Sequence, residues 1–167
     1  MYGFKAFVFD GKRTARKALE TLEDYAPAYV WVDDVAELSK SKHGHIRVHS
    51  TWAQDSSAPG AAAGVGALTA GTIGLLFGPA GAAAGAVVGG GIGALMGAAS
   101  NATFDDPALD NFVTSLDKNS SALVLVGEEA TLADYTSAME PFGGKVVQTN
   151  LNEDDIKALR KDLKYLD

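Results

Sequence analysis

Three histidines within seven residues are the side chains in this sequence best suited to binding a metal ion. The stretch HGHIRVH holds His43, His45 and His49. At the two-residue period of a β-strand these imidazoles share one face, as neighbouring ligands would. Arg47 shares that face and no carboxylate does within the strand. Three interpretations stay open, namely a weak metal site, a pH-sensing face and a solvated strand face, and the last is favoured.

Adjacent acids are the other candidates for chemistry. They occur at Asp33–Asp34, Glu128–Glu129 and Asp154–Asp155. Neighbouring acids on a strand point to opposite faces, and acids at the start of a helix favour its dipole. No Ser or Thr stands in a recognisable nucleophile motif, and a chain without cysteine has no thiol catalyst. The sequence therefore predicts a protein that is not an enzyme and has no cofactor.

The overall charge limits the class of partner. The chain has 167 residues and a net charge of −7, with a pI near 4.9. Binding to nucleic acid needs clustered Lys and Arg, so we expect no nucleic-acid partner. The length fits one domain, or a small domain that carries an insertion.

The elements that would position these residues are divided by an uncharged insert. No ionisable side chain occurs between Asp55 and Asp105, and this segment holds 13 of the 19 glycines. We predict three parts: residues 1–52, the insert at 57–100, and residues 105–167. A turn at Gly78-Pro79 divides the insert into arms at about 61–77 and 80–99, which predicts an inserted Gly/Ala-rich α-helical hairpin.

Small residues recur every four positions in both arms. Because glycine has no Cβ, such a stripe lets two helix backbones approach closely, as in a glycine zipper. A step of four residues drifts by ~40° around a helix, so the stripe of the second arm would meet two neighbours, which predicts a homo-oligomer. The predicted contacts are Gly66, Gly74, Gly78, Gly81, Gly85, Gly89, Gly93 and Gly97.

Two environments for the hairpin stay open. A 20-residue helix is ~30 Å long, enough to cross a bilayer, which would make lipid a partner. Alternatively the hairpin is buried in the centre of a water-soluble oligomer. Trp52 and Phe104 flank the insert and would mark a membrane interface or cap a soluble core. We expect the inner membrane, with the charged parts in the cytoplasm, and as the alternative a cytoplasmic protein.

The charged flanks are predicted to be two copies of one βαβ unit. Residues 6–32 align without a gap with residues 122–148, and each copy reads as strand, helix and strand. The strands are KAFVF with YVWV, and ALVLV with KVVQT. Two such units predict an α+β ferredoxin-like sandwich whose four strands bury one face against two helices; an α/β arrangement is the alternative. HGHIRVHST would pair with VDDVAELSK as a hairpin.

Helix boundaries follow from capping residues. We predict N-caps at Thr131, at Asp106 with Pro107 after it, and at Asn152. The two βαβ helices carry apolar faces, and so does the last helix, whose stripe needs a surface to cover. These apolar positions are Ala15, Ala18, Leu19, Leu22 and Tyr25; Leu132, Tyr135, Ala138, Met139 and Phe142; and Ile156, Leu159, Leu163 and Leu166.

The second half of the chain resembles a known family. The Gly/Ala hairpin followed by LDNFVTSL, NSSALVLV and GGKVVQTNLNEDDIKALRKDL is similar to the bacterial domain of unknown function 1269 family. The resemblance implies a membrane-associated protein, and it carries over no catalytic residues.

We therefore expect a non-enzymatic, membrane-associated homo-oligomer with an envelope stress or scaffold role. The alternative is a soluble self-assembling or ligand-sensing ferredoxin-like protein whose zipper forms the oligomer core.

Overall fold

The computed structural model describes residues 1–25, 35–44, 46–50, 69, 72, 73, 76 and 105–164. Its elements, in chain order, are β1 (Tyr2–Asp10), α1 (Thr14–Tyr25), β2 (Ala36–Lys40), β3 (Ile46–Ser50), α2 (Pro107–Ser115), β4 (Ser120–Glu128), α3 (Glu129–Met139), a 3-10 turn (Glu140–Phe142), β5 (Lys145–Asn150) and α4 (Glu153–Lys164). The chain thus forms a mixed α/β structure around one sheet.

The described strands form a five-stranded antiparallel sheet in the order β3-β2-β4-β1-β5. Its centre is the pair β1 and β4, which align over their whole length from Tyr2 opposite Glu128 to Asp10 opposite Ser120. The predicted hairpin is confirmed as β2 and β3. The expected strand YVWV lies outside the described residues, and the strand that pairs with β4 is β2.

Both faces of the sheet are buried, whereas the sequence had predicted one. We call them the Phe4 face and the Phe7 face, after residues of β1 that point to opposite sides. The reason lies in the strand sequences: ALVLV in β4 has apolar side chains at successive positions, and successive side chains point to opposite faces. Leu123 and Val124 are therefore both fully buried, one on each face.

On the Phe7 face lie α1 and α3, the helices of the two predicted units. Ala15, Ala18, Leu19 and Leu22 of α1 and Leu132, Tyr135 and Met139 of α3 are buried there, which confirms those predicted positions. Ala138 and Phe142 pack against the same cluster. Phe7 meets Tyr135 edge to face, with ring centroids 5.4 Å apart.

On the Phe4 face lie α2 and α4. Phe112 of α2 packs edge-on against Phe4, with centroids 5.1 Å apart. Ile156 and Leu159 of α4 are buried in the same cluster, so part of the predicted C-terminal stripe covers this face. The Phe4 face therefore forms a second hydrophobic core.

Helix starts agree with the predicted caps at two of three places. Asp106 accepts a hydrogen bond from the Ala108 amide at 2.7 Å, and Asn152 accepts one from the Asp154 amide at 2.8 Å. Thr131 as an N-cap is wrong: α3 begins at Glu129, directly after β4, with Glu128 in the extended conformation at the cap position. Thr131 therefore lies within the first turn of α3.

Candidate functional site

Four residues of the insert's first arm are described, and they dock on the body of the protein. Thr69, Thr72, Ile73 and Leu76 all have helical backbone. Their spacing is i, i+3, i+4 and i+7, which places them on one face of an α-helix. Thr69, Thr72 and Ile73 are completely buried. This part of the insert is therefore integrated into the fold.

Thr69 satisfies backbone groups of the central strand β4. The Val126 amide donates a hydrogen bond to the Thr69 hydroxyl oxygen at 2.9 Å. The Thr69 hydroxyl in turn donates to the Val126 carbonyl at 3.4 Å. Strand β2 begins at Ala36, opposite Val124, so Val126 lies beyond the start of β2 in the sheet. A buried backbone amide without a partner is unfavourable. Thr69 therefore occupies the position where a neighbouring strand would supply a partner.

The apolar residues of this helical face enter the core of the Phe4 face. Ile73 belongs to the same buried cluster as Phe4, Val126 and Phe112, and Leu76 packs against that cluster. The polar groups of this face are not all paired, because the buried Thr72 hydroxyl has no hydrogen-bond partner among the described residues. The docked arm thus combines one well-made polar contact, apolar burial and one unpaired polar group.

The docking residues were not predicted from the sequence. The prediction for this arm rested on its small residues, whereas the contacts come from Thr69, Thr72, Ile73 and Leu76 in TAGTIGLL. Their helical spacing was readable, because polar and β-branched residues interrupt an otherwise Gly/Ala-rich segment. Which surface they would contact was not readable from spacing alone.

The predicted contact glycines lie outside the described residues, as do His45, Trp52 and Phe104. The glycines concerned are Gly66, Gly74, Gly78, Gly81, Gly85, Gly89, Gly93 and Gly97. Among the described residues, no helix combines the length and apolar character that crossing a membrane requires.

Only part of the predicted histidine face is described, because His45 lies outside the described residues. β3 begins at Ile46, and His43 lies exposed in the turn between β2 and β3, where Gly44 has a φ of 85°. A residue in this turn does not follow the two-residue alternation of the strand, so His43 lies outside β3. Within the parts of the chain that the structure describes, no three potential ligands cluster as a metal site.

The hairpin instead places a carboxylate opposite His49. Glu37 of β2 is the cross-strand partner of His49, a proximity that sequence analysis within one strand missed. The Glu37 side chain is 7% exposed, and its Oε2 lies 2.9 Å from Nε of Arg16 in α1. Within the part of the chain that the structure describes, that oxygen accepts no hydrogen bond of normal geometry, so its contact with Arg16 is a close ion pair without a directed N–H.

A polar contact next to this pair fixes the start of α1. The Ser121 hydroxyl donates to the Gly11 carbonyl at 2.6 Å and accepts from the Ala15 amide at 3.0 Å. Ala15 lies in the first turn of α1, where backbone N–H groups lack intrahelical partners, and Gly11 lies in the turn before the helix. Ser121 is therefore committed to a structural role in this arrangement.

The paired acids occupy the positions expected at helix starts. Glu128 and Glu129 stand at the junction of β4 and α3, and Asp154 and Asp155 lie in the first turn of α4. The Asn152 side chain accepts hydrogen bonds from both aspartate amides. Asp33 and Asp34 lie outside the described residues.

A sheet covered on both faces, with part of an insert docked on one of them, defines this chain as a mixed α/β protein with a structurally integrated insertion. Residues 63–164 match the family described as "Protein of unknown function (DUF1269)". The match covers more than half of the chain, so the chain belongs to that family, and the resemblance seen in its sequence is confirmed. No curated protein and no solved structure matches the chain.

Proposed function

We propose that this protein is a non-enzymatic, self-assembling protein in which the Gly/Ala-rich insert joins copies of one α+β body. The observation that carries the proposal is the burial of Thr69, Thr72 and Ile73 on the Phe4 face. These buried residues would give the rest of the insert a point of attachment on the body, from which it would meet a second copy.

The body belongs, in this proposal, to the ferredoxin-like class. The order β2-β4-β1-β5 supports the assignment, because the strands joined by α1 flank β4 and the strands joined by α3 flank β1. β3 would then be an additional edge strand. In a protein of this class the α2, α4 and insert residues on the Phe4 face would be additions to the basic sandwich.

The small-residue series of the first arm is offset from the docked residues. Successive residues of an α-helix are rotated by about 100°. In a helix continuing through this segment, Ala70 and Gly74 would therefore be rotated away from Thr69 and Ile73. This sequence geometry supports separate surfaces for docking on the body and for close helix contact with another arm.

Membrane association is a second candidate. It is favoured by the absence of ionisable side chains between Asp55 and Asp105 and by the glycines at a spacing of four from Gly81 to Gly97. In that version the second arm would contact lipid while the first arm remains on the body. The protein would then act at the inner membrane, in envelope stress protection or as a scaffold.

The test of assembly uses the full-length untagged chain and two double variants. Gly89→Leu with Gly93→Leu adds bulk to the proposed contact, and Gly89→Ala with Gly93→Ala is the matched control with minimal bulk. Analytical ultracentrifugation should give one defined oligomer for the wild type and the alanine variant, and a smaller species for the leucine variant. A monomeric wild type, or a leucine variant of unchanged mass, would contradict the proposal.

Fractionation of cells that express the same chain separates the two candidates. Release from the membrane pellet by detergent but not by carbonate would favour the membrane version. Recovery of a large, defined oligomer without any membrane fraction would favour assembly through the insert in solution.

A further inference from the structure

A buried lysine occupies the middle of the central strand β1. Lys5 is only 8% exposed, and it shares the Phe7 face with the aromatic ring of Phe7, whose centroid lies 5.9 Å from the Lys5 Nζ. Within the described residues the ammonium group has neither a hydrogen bond nor a salt bridge. Its stem is buried, but its Nζ is not among the buried unpaired atoms, so the ammonium group reaches the groove that Lys5 lines. An anion in that groove would therefore meet it.

Lys5 lines an open groove between α3 and β5. The groove has a volume of about 350 Å³ and is also lined by Gly3, Leu132, Thr136, Gln148 and Asn150. It exists because β5 is an edge strand and α3 lies over its neighbours β1 and β4. Val146 on the same side of β5 is 49% exposed, in agreement with a strand face that none of the described helices covers. The volume lies within the range of small-molecule sites.

Hydrogen-bond donors on β5 face the same groove as Lys5. The strand register places Gln148 opposite Lys5 and Asn150 opposite Gly3, so both carboxamides lie on the Phe7 face. Neither side chain makes a hydrogen bond within the described part of the chain. The Thr136 hydroxyl already donates to the Leu132 carbonyl at 2.6 Å, which leaves its lone pairs as acceptors. The side-chain donors of the groove therefore include one ammonium group and two carboxamides.

The charges around the groove favour a single negative charge in the ligand. Lys5 is the only cationic side chain among the described lining residues, and Glu129 also lines the groove. Burial lowers the pKa of the Lys5 ammonium below its usual value, and the nearby Glu140 carboxylate opposes part of that shift. A bound anion would stabilise the charged ammonium, whereas a second negative charge would be repelled by the two glutamates.

We propose that this groove is a binding site for a small monocarboxylate with an apolar body. The carboxylate would accept hydrogen bonds from the Lys5 Nζ and from the carboxamides of Gln148 and Asn150. Leu132 and Ala133 of α3 offer the apolar wall for the remainder of the ligand. A charge-assisted contact of this kind is stronger than a hydrogen bond between neutral groups. The described insert residues dock on the Phe4 face, whereas Lys5, Gln148 and Asn150 lie on the Phe7 face.

The first experiment observes the ligand and uses the full chain. 4-Fluorobenzoate is titrated with protein while its ¹⁹F linewidth is recorded, and butyrate or inorganic phosphate is added as competitor. We expect saturable broadening that butyrate reverses and phosphate does not. Absence of saturable broadening would overturn the proposal, and equal competition by phosphate would overturn the assignment to a monocarboxylate.

Variants of two lysines test the residue that carries the proposal. Lys5→Met keeps the length of the side chain and removes the charge, and Lys118→Met removes an exposed lysine outside the groove. We expect Kd to rise about tenfold or more in Lys5→Met, since tenfold corresponds to 1.4 kcal/mol, and to stay unchanged in Lys118→Met. Equal Kd values in all three proteins would overturn the role of Lys5.

A second measurement needs no variant and is therefore independent of folding defects. The wild type is acetylated with a lysine-directed reagent, and the rate at each lysine is followed by mass spectrometry. At ten times its Kd, 4-fluorobenzoate should slow modification of Lys5 about tenfold, because about one-tenth of the sites remain free. An unchanged rate at Lys5 under saturating ligand would contradict the proposed site.

Discussion

At the scale of single residues, we expect the burial of Lys5 to reduce the stability of the protein near neutral pH. Its folded-state pKa is lowered mainly because burial disfavours the ammonium form. Between that folded pKa and the unfolded value of 10.5 the unfolded chain binds more protons, so the free energy of unfolding rises with pH in this window. The cost in stability of burying the Lys5 ammonium is therefore largest below its folded pKa, and it declines as the pH rises towards 10.5.

The pH dependence of this cost leads to a prediction for the stability of Lys5→Met. We expect a higher free energy of unfolding than in the wild type at pH 7, and a smaller difference as the pH rises towards 10.5. Urea denaturation at several pH values measures both proteins, with Lys118→Met as the control for loss of an exposed charge. A variant less stable than the wild type at pH 7 would show that the contacts of the ammonium outweigh its burial.

Tyr135 is a second buried titratable residue with the opposite dependence on pH. Its hydroxyl donates a hydrogen bond to the Leu123 carbonyl at 2.8 Å, and burial raises its pKa well above 10.0. As the pH rises above 10.0, the phenol therefore stays neutral in the folded protein while the same side chain ionises in the unfolded chain. Its contribution to stability is complete below pH 10 and is lost as the pH rises towards the folded pKa.

Tyr135→Phe should lower the free energy of unfolding by about 1 kcal/mol at neutral pH, the usual value of one hydrogen bond. The edge-to-face contact with Phe7 should remain, since the ring is unchanged. Above pH 10 the difference from the wild type should decrease. Urea denaturation at pH 7 and above pH 10 checks both statements, and a pH-independent difference would mean that the folded phenol ionises normally.

At the scale of elements, local patterns were sufficient wherever an element's own residues determine it. The apolar spacing of α1, α3 and α4 predicted which side chains are buried, and Asp106 and Asn152 cap their helices as expected. Errors arose where a neighbour decides the outcome. His43 lies in the hairpin turn and not in the predicted strand. Helix α3 begins at Glu129, before the predicted cap at Thr131, because it follows β4 without a connecting loop.

The candidate sites depend on contacts between residues far apart in the sequence. Lys5 meets Gln148 only through the register of β1 with β5, and Thr69 meets Val126 only because β2 begins at Ala36. Neither contact can be predicted from a short stretch of sequence around either residue. Identifying such sites requires the topology of the sheet, whereas helix faces and caps can be read from the chain itself.

The docked arm offers a matched pair of substitutions at this scale. Thr69→Val should lower the free energy of unfolding by about 1–3 kcal/mol, because it leaves the buried Val126 amide without a partner. Thr72→Val makes the same change of shape but removes a buried hydroxyl that has no partner among the described residues. The free energy of unfolding should therefore stay unchanged or rise. Chemical denaturation compares the two. Equal effects would show that the Thr69 contact contributes nothing specific.

At the scale of the whole molecule, our proposal gives the insert two separable roles. Its first arm supplies Ile73 and Thr69 to the core of the Phe4 face, and its second arm is the proposed contact between copies. A membrane hairpin merely attached to the body would be removable without consequence for the sheet. An arm that fills the core is not removable, because its loss exposes apolar side chains on β1 and β4.

Two deletions test this division. Replacing residues 57–100 by a Gly/Ser linker should reduce the free energy of unfolding by roughly 3 kcal/mol or more, since a buried isoleucine and a buried hydrogen bond are both lost. Replacing only residues 78–100 keeps Thr69, Thr72, Ile73 and Leu76 and should leave the free energy of unfolding nearly unchanged while abolishing assembly. Chemical denaturation of both proteins measures the free energy of unfolding, and sedimentation measures their assembly. If the larger deletion leaves stability unaltered, the first arm is not part of the core; if the smaller one still assembles, the contact between copies lies on the body.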